Sequence, residues 1–541
     1  MNGGLTLYRP ALPCPPLPHF TSFTFGILTL SEISFDPILA AGADPVQAGV
    51  ALKQLADDPN LDGPMLVAAL AENAARLMDA DPAITGGLLR LIHLKTLKGE
   101  GDPLSKIEPA TLGKIIGSLS PEVSNRHLML QLLAMQRTPD SLRVLVTQLA
   151  QSPPKGWMAA AQILSPLMQH NDWSIDAVFP SLLDSISEPS LAAPILDLAG
   201  HVTRTGLVSE HPAKGRIGSL NALLGHVAGR LAKFEEDPRS FGTEVEQVQA
   251  VLGEAVALAV SLCDAIGLIG DESSIGELNK TLDLKHRRVQ CEAAGALAKL
   301  GVDTGKERLA ELAGEPAARL RAIAYADELG LEDLIDTEHR EPRAIAEAEM
   351  ALWLTQPQQM GVPPTGVEVV DSRRMLWPSF EDPVDVFLVR FEYNFGEKQY
   401  SNIGLTGPTV FAISCDVADF PPEDIYAIYA GWHADHPDIF TVPSKEFNEA
   451  QRRIVEPLQT YLERVGYEEV KVDRLGFFLD ETAAVFTAVR NEKECVVVTD
   501  GLETIDLPTG GRLRPPQPED LFHLYKGRKM LRTFNPNGIS E

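Results

Sequence analysis

Between Asp271 and Gly330 the chain carries one pattern twice, and that repetition constrains its fold more than any other feature. In the first copy, DESSIGELNKTLDLKHRRVQCEAAGALAKLG, Ile275, Leu278 and Leu282 recur at helical spacing. A polar break runs from Asp283 to His286, and Val289, Ala293, Ala296, Leu297 and Leu300 then line a second apolar stripe. Two amphipathic helices joined by a tight turn are therefore predicted. Neither helix buries its stripe alone, so the unit makes physical sense only as one layer of a stack. Gly270, Gly301 and Gly330, roughly thirty residues apart, each close a second helix, where glycine suits the left-handed backbone just past a helix end.

These paired helices resemble the HEAT-like repeat family, in the short form first noted in phycobilisome lyase proteins. The likeness is close over 271–330 and extends loosely over the helices before it. It implies an α-solenoid and, for most members, a scaffold or adaptor role; for a subset it implies attaching or detaching bilin chromophores. One position departs from the family, in which Arg commonly follows the Val of the second helix. Here Val289 is followed by Gln290, which weakens any inference of a shared ligand.

At 541 residues the chain exceeds the roughly 250–300 residues at which a single core stops growing, so more than one structural region is expected. The net charge of -28 repels a phosphate backbone and an anionic bilayer, which disfavours nucleic-acid and membrane partners. Cys14, Cys263, Cys291, Cys415 and Cys495 are scattered, with no C-x-x-C pair, and read as buried small hydrophobes in a reducing, cytoplasmic setting. No apolar run is expected to reach the ~18 residues of a membrane-spanning helix.

Composition and punctuation divide the chain. Residues 1–42, with Pro10, Pro13, Pro15, Pro16 and Pro18 followed by a short apolar run, read as a disordered leader or a start placed too far upstream; with Arg9 as the only basic residue before that run and Thr and Ser interrupting it, a signal peptide is the lesser reading. From 43 to 354, helix-length apolar patterns alternate with breaks such as Asp81-Pro82, Thr138-Pro139 and Pro153-Pro154, predicting an array of helix pairs. Its period blurs before residue 250, where degenerate repeats are the preferred reading and a separate irregular helical domain the competing one. Ile345, Met350, Leu352 and Trp353 form a shortened last unit suited to cap the array against the next domain.

The Pro- and Gln-rich stretch 355–366 marks a linker. Beyond it the period changes: Val384–Tyr393, Tyr400–Leu405, Val410–Cys415, Glu469–Val472, Ala483–Val489 and Cys495–Thr499 read as strands. Helices are expected after Pro421-Pro422, over Ser444–Val465 and over Leu521–Met530. The fold class is thus multidomain, an α-solenoid of helix pairs followed by an α+β domain with an antiparallel sheet over 367–541.

Three clusters are candidates for chemistry. Lys285, His286, Arg287 and Arg288 form a basic knot at a repeat turn, able to grip an acidic partner or simply to solvate the turn. Tyr426, Tyr429, Trp432, His433 and His436 fall on and just beyond one helix. They suit a pocket for a planar ligand, although such a stripe is more often core. Trp432-His433-Ala434-Asp435-His436-Pro437-Asp438 brings imidazoles and carboxylates close together and resembles the H-x-D-H half of the metallo-β-lactamase signature. Gly431 stands where that family has another His, and the stretch ends a helix instead of following a strand, so no metal or other cofactor is assigned. Lys526, Arg528, Lys529 and Arg532 suit a helix C-terminus. No phosphate-binding glycine loop or G-x-S-x-G elbow occurs.

The expected function is a non-enzymatic scaffold that presents its repeat surface to a partner protein. The alternatives are a ligand-binding or catalytic module in the C-terminal domain and a bilin-lyase-type role resting on repeat analogy alone.

Overall fold

The computed structural model describes residues 33–535, apart from 41, 100, 121, 238–240, 242–244, 357, 397, 414–415, 435–438, 479–480 and 508–514. The chain divides into two compact units, Met1–Leu207 and Val208–Glu541. The helices expected over 43–354 are divided between them. Most of the expected leader lies outside the described residues, but its end is built in: Phe35, Ile38 and Leu39 are buried around a short helix, α1 (Asp36–Leu39).

The first unit continues with α2 (Pro45–Asp57), α3 (Gly63–Glu72), α4 (Pro82–Lys98), α5 (Pro109–Ser118), α6 (Arg126–Gln136), α7 (Pro139–Gln151), α8 (Trp157–Gln169) and α9 (Pro189–Arg204). Helix starts are encoded locally. Asp44, Asp81 and Thr138 each accept a hydrogen bond from a first-turn N–H. The proline that follows each of them occupies the first helical position, where a missing donor costs nothing. Successive helices fold back on one another, so α3, α5 and α7 pack as one layer and α4, α6 and α8 as a second. Leu66, Leu88, Leu112, Leu130, Leu133 and Leu145 are buried in this unit.

The second unit opens with α10 (Ile217–Glu236), α11 (Val245–Ile269), α12 (Ile275–Leu282), α13 (Arg287–Lys299), α14 (Asp303–Ala313), α15 (Pro316–Glu328) and α16 (Pro342–Leu354). The two predicted helix pairs are present, α12 with α13 and α14 with α15, and α11, α13 and α15 pack in sequence as one layer. Gly270, Gly301 and Gly330 all have positive φ. After α13 and α15 the N–H groups of Val302 and Leu331 reach back to Leu297 and Ala326, the bonding of a glycine-closed helix end.

One expectation needs correction here. Gln247–Ile269 within α11 is long and apolar enough to cross a membrane, with a hydropathy of 1.9. Its apolar length is used in packing: Ala259, Leu262, Cys263 and Ile266 are fully buried, and the helix lies against α10 and α13.

The rest of this unit is α+β. Strands β1 (Gly366–Met375), β2 (Val384–Phe395) and β3 (Lys398–Thr406) form an antiparallel meander. Then come α17 (Pro422–His433), β4 (Ile439–Pro443), α18 (Glu449–Arg464) and strands β5 (Glu468–Phe478), β6 (Glu481–Arg490), β7 (Lys493–Thr499) and β8 (Thr504–Leu507). Strands β4 to β8 pair in chain order as a second antiparallel sheet. The cores define the layering. Ala346, Met350 and Leu354 of α16 pack on Val369, Phe387 and Val389 at one face of the first sheet. Val386, Leu388, Leu405, Tyr426, Tyr429, Val485 and Val496 form a core joining that sheet, α17 and the second sheet. Val455, Leu458 and Leu462 of α18 cover the second sheet's other face at Leu475, Phe486 and Val497.

The last repeat helix thus caps the array by docking on a sheet. Glu347 accepts from the Val369 N–H at 3.2 Å, and Arg343 donates to the Val369 carbonyl at 2.8 Å. Met350 and Trp353 pack as expected, whereas Leu352 is exposed. Two expected elements differ. In the stretch read as a strand at 410–415, Phe411 makes only an isolated bridge to Leu405, and residues 414–415 lie outside the described residues. The closing helix is a 3-10 turn (Pro518–His523), a π-helical turn (Leu524–Lys529) and a short α19 (Met530–Phe534). Gly527 permits that turn, because a Cβ there would lie 2.1 Å from the carbonyl oxygens of Ala427 and Phe522.

Candidate functional site

A polar cleft lies open in the first unit, on the layer made by α4, α6 and α8. Arg90, His93 and Leu94 project from α4. Asn125 precedes α6, His127 and Gln131 lie on it, and Gln162 comes from α8; together they line a groove of about 340 Å³. Helical spacing creates this face. Arg90, Leu94 and Leu97 stand one turn apart along α4, and Met158 lies one turn before Gln162 on α8. Leu94, Leu97 and Met158 are 42%, 46% and 56% exposed, an unusual outlay of apolar surface beside a polar groove.

Hydrogen bonds hold the groove's floor. Gln131 donates to the Gln162 carbonyl at 3.2 Å, tying α6 to α8, and Asn125 donates to the Gly86 carbonyl of α4 at 3.1 Å. Burial pushes the His93 imidazole below its ordinary value; Gln131 opposes this and His127 adds to it. Burial likewise lowers His127. His93 Nε2 is buried without a hydrogen-bond partner. No carboxylate lines the groove.

The basic knot of the second unit is largely committed to its own fold. The Lys285 and His286 backbone N–H groups donate to Glu235 at 2.7 and 3.2 Å. Arg287 pairs with Glu315 and donates to Gln290 at 2.8 Å. Burial, followed by the nearby Arg288, lowers the His286 imidazole, and its Nδ1 is buried without a partner. The Lys285 and Arg288 side chains are exposed.

The aromatic stripe of α17 is divided between core and surface. Tyr426 and Tyr429 are fully buried; their hydroxyls donate to the carbonyls of Val386 at 3.3 Å and Ile403 at 2.5 Å. Trp432 stacks on Phe411 at 4.5 Å. His433 Nδ1 accepts from Trp377 Nε1 at 2.9 Å, and burial lowers that imidazole. His436, with Asp435 and Asp438, lies outside the described residues. Tyr426 and Tyr429 are thus core between the two sheets, while Trp432 and His433 lie at its edge against Phe411 and Trp377. Arg528, read as a helix-end charge, instead forms an ion pair with buried Asp424 at the start of α17. Burial opposes ionisation of Asp424, but His523 and Arg528 outweigh it and hold the carboxyl below its usual range.

A second polar cluster is closed. Glu292 of α13 receives two hydrogen bonds from Arg321 of α15, both 2.9 Å, and one from the Tyr325 hydroxyl at 2.5 Å. The Arg321 guanidinium also lies over the Tyr325 ring, 4.3 Å from its centroid. Burial and then the Glu292 charge push the Tyr325 phenol well up. Among the described residues, Asp336, Glu338 and His339 bring three potential metal-ligand atoms within 4.8 Å of one another, all on one exposed 3-10 turn.

Compared with protein-family models, curated proteins and solved structures, the chain matches none. The groove escaped sequence reading because its residues come from three helices and share no local motif. The available signal was the exposed i, i+4, i+7 series Arg90, Leu94, Leu97.

Proposed function

We propose that this chain is a non-catalytic binding protein, a scaffold or adaptor, and that the face formed by α4, α6 and α8 receives an extended segment of a partner protein. The observation carrying this reading is the groove itself: amide, imidazole and guanidinium groups from three successive helices of one layer, flanked by exposed Leu94, Leu97 and Met158. Amide side chains both donate and accept, as a peptide backbone does, and apolar side chains beside them provide contact area. The repeats at 271–330 are read as HEAT-like, a family of scaffolds, on the residues quoted for them. A reducing, cytoplasmic setting fits Cys263, Cys291 and Cys495, which are free thiols among the described residues.

The test is a photoreactive residue placed at Leu94 in the full-length protein in its native cells, with Arg143 on α7 as the control position. The reading predicts a discrete crosslinked protein from position 94, absent from position 143 and abolished by Gln131→Leu. Equal, diffuse labelling from both positions would remove it.

A further inference from the structure

We propose that the groove on α4, α6 and α8 selects an acidic peptide in extended conformation, with Arg90 pairing to a ligand carboxylate and Gln162 bonding the peptide backbone. This rests on the binding role above and names its ligand class. Three observations carry it.

The first is charge. The chain as a whole is at -28, yet the groove carries the Arg90 guanidinium and is lined by no carboxylate. Arg90 makes no ion pair and no hydrogen bond among the described residues, while arginines such as Arg126, Arg319 and Arg321 all have partners. A guanidinium offers five donors in a planar fork that matches a carboxylate.

The second is unused hydrogen-bonding capacity. The Gln162 side-chain amide and the His127 ring are also without a hydrogen bond among the described residues, and His93 Nε2 is buried without one. Buried polar atoms normally find partners, and His93 Nε2, which has none, costs free energy that a bonding ligand would recover, whereas the exposed Gln162 amide exchanges water for the ligand.

The third is shape. The groove is open and spans three helices, with Leu94, Leu97 and Met158 exposed along the same helix faces. An open polar channel with apolar flanks suits a chain crossing it better than a small molecule, which is normally enclosed. A phosphate backbone would meet strong repulsion from a protein of this charge. A short acidic segment has fewer charges to bring in, and at physiological ionic strength the more distant ones are screened beyond about 8 Å.

The experiment uses the full-length protein at 150 mM salt, a concentration near the physiological range, and three fluorescein-labelled peptides that alternate leucine with Glu, Gln or Lys. Anisotropy titration should show the Glu peptide binding about tenfold tighter than the Gln peptide, and Arg90→Gln should remove that preference, the loss of one charge-assisted pair. Gln162→Ala should weaken the Glu and Gln peptides alike. Circular dichroism of both variants should match the parent, since both side chains are on the surface. Equal binding of the Glu and Gln peptides, both weakened by Gln162→Ala, overturns the charge selection and leaves the groove as a peptide site. Preference for the Lys peptide, or binding of none of the three, overturns the inference, while the crosslinking from position 94 judges the binding role by itself.

Discussion

Two polar clusters, each joining successive helices of one layer and each holding an exposed arginine, behave in opposite ways. In the second unit buried Glu292 and Tyr325 are satisfied by each other and by Arg321, which reaches them from the surface. In the first unit Arg90, His127 and Gln162 face an open groove with bonding capacity left over. A buried charge must be paired where it lies, so the closed cluster acts as a staple between α13 and α15. An exposed, unpaired donor set has no such constraint and is available to a ligand. The difference shows that polar residues between stacked helices do not announce their role by type; exposure and partner count decide it.

The comparison can be broken most forcefully at the staple. Arg321→Met leaves buried Glu292 without its cation and should destabilise the second unit by about 2–3 kcal/mol, less than for a fully buried pair because the Arg321 side chain is 42% exposed, read as a lower denaturant midpoint and faster hydrogen exchange in α13. A change within error would mean that the ion pair is solvated and the contrast with the groove is false.

Next in size is Gly295→Ala. A Cβ at this position would lie 2.4 Å from the Tyr325 ring, so overpacking should cost about 1–3 kcal/mol. Combining it with Tyr325→Leu should give less than the sum of the two single effects, because the clash partner is gone.

Protons sharpen the comparison further. His286 has a lowered pKa in the folded state, caused first by burial and then by Arg288. The unfolded chain therefore binds the proton more readily. The stability this residue contributes is fully present above its ordinary value near 6.5 and is lost as pH falls below that towards the depressed value. His286→Gln should flatten part of the decline in thermal midpoint between pH 7 and 5; an unchanged slope would remove His286 from the account.

The smallest stability effect belongs to the groove. Arg90→Gln and Gln162→Ala should each shift stability by no more than about 0.5 kcal/mol, as surface substitutions with no partner to lose. A loss of several kcal/mol in either would show that the groove is a second staple.

Legibility differed in the same way. The helix pairs at 271–330 could be read because apolar spacing and terminal glycines are local: Ile275, Leu278 and Leu282 sit at helical intervals, and Gly301 takes the left-handed backbone that its position required. The meander of β2 and β3 was legible from its apolar strands and polar turn. β1, β4 and β8 were not read as strands. One irregularity, between Val369 and Asp371, shifts the register of β1, and β4 and β8 have only 5 and 4 residues, too few to show a period. The aromatic stripe of α17 suggested a pocket, but the face of that helix that meets the two sheets is buried, and Tyr426 and Tyr429 became core while Trp432 stayed exposed.

What the sequence determined by itself is the set of elements whose signals lie within a few turns of one chain segment: helix starts at Asp81-Pro82 and Thr138-Pro139, helix ends at Gly270, Gly301 and Gly330, and the change of period after residue 366. What only the tertiary structure decided is which side chains from different elements share a space. Arg90, His127 and Gln162 meet because α4, α6 and α8 stack side by side, and Glu292 meets Arg321 because α13 stacks on α15. Stacking is set by the sum of many apolar contacts spread along each helix, so no single residue records which distant neighbour it will face.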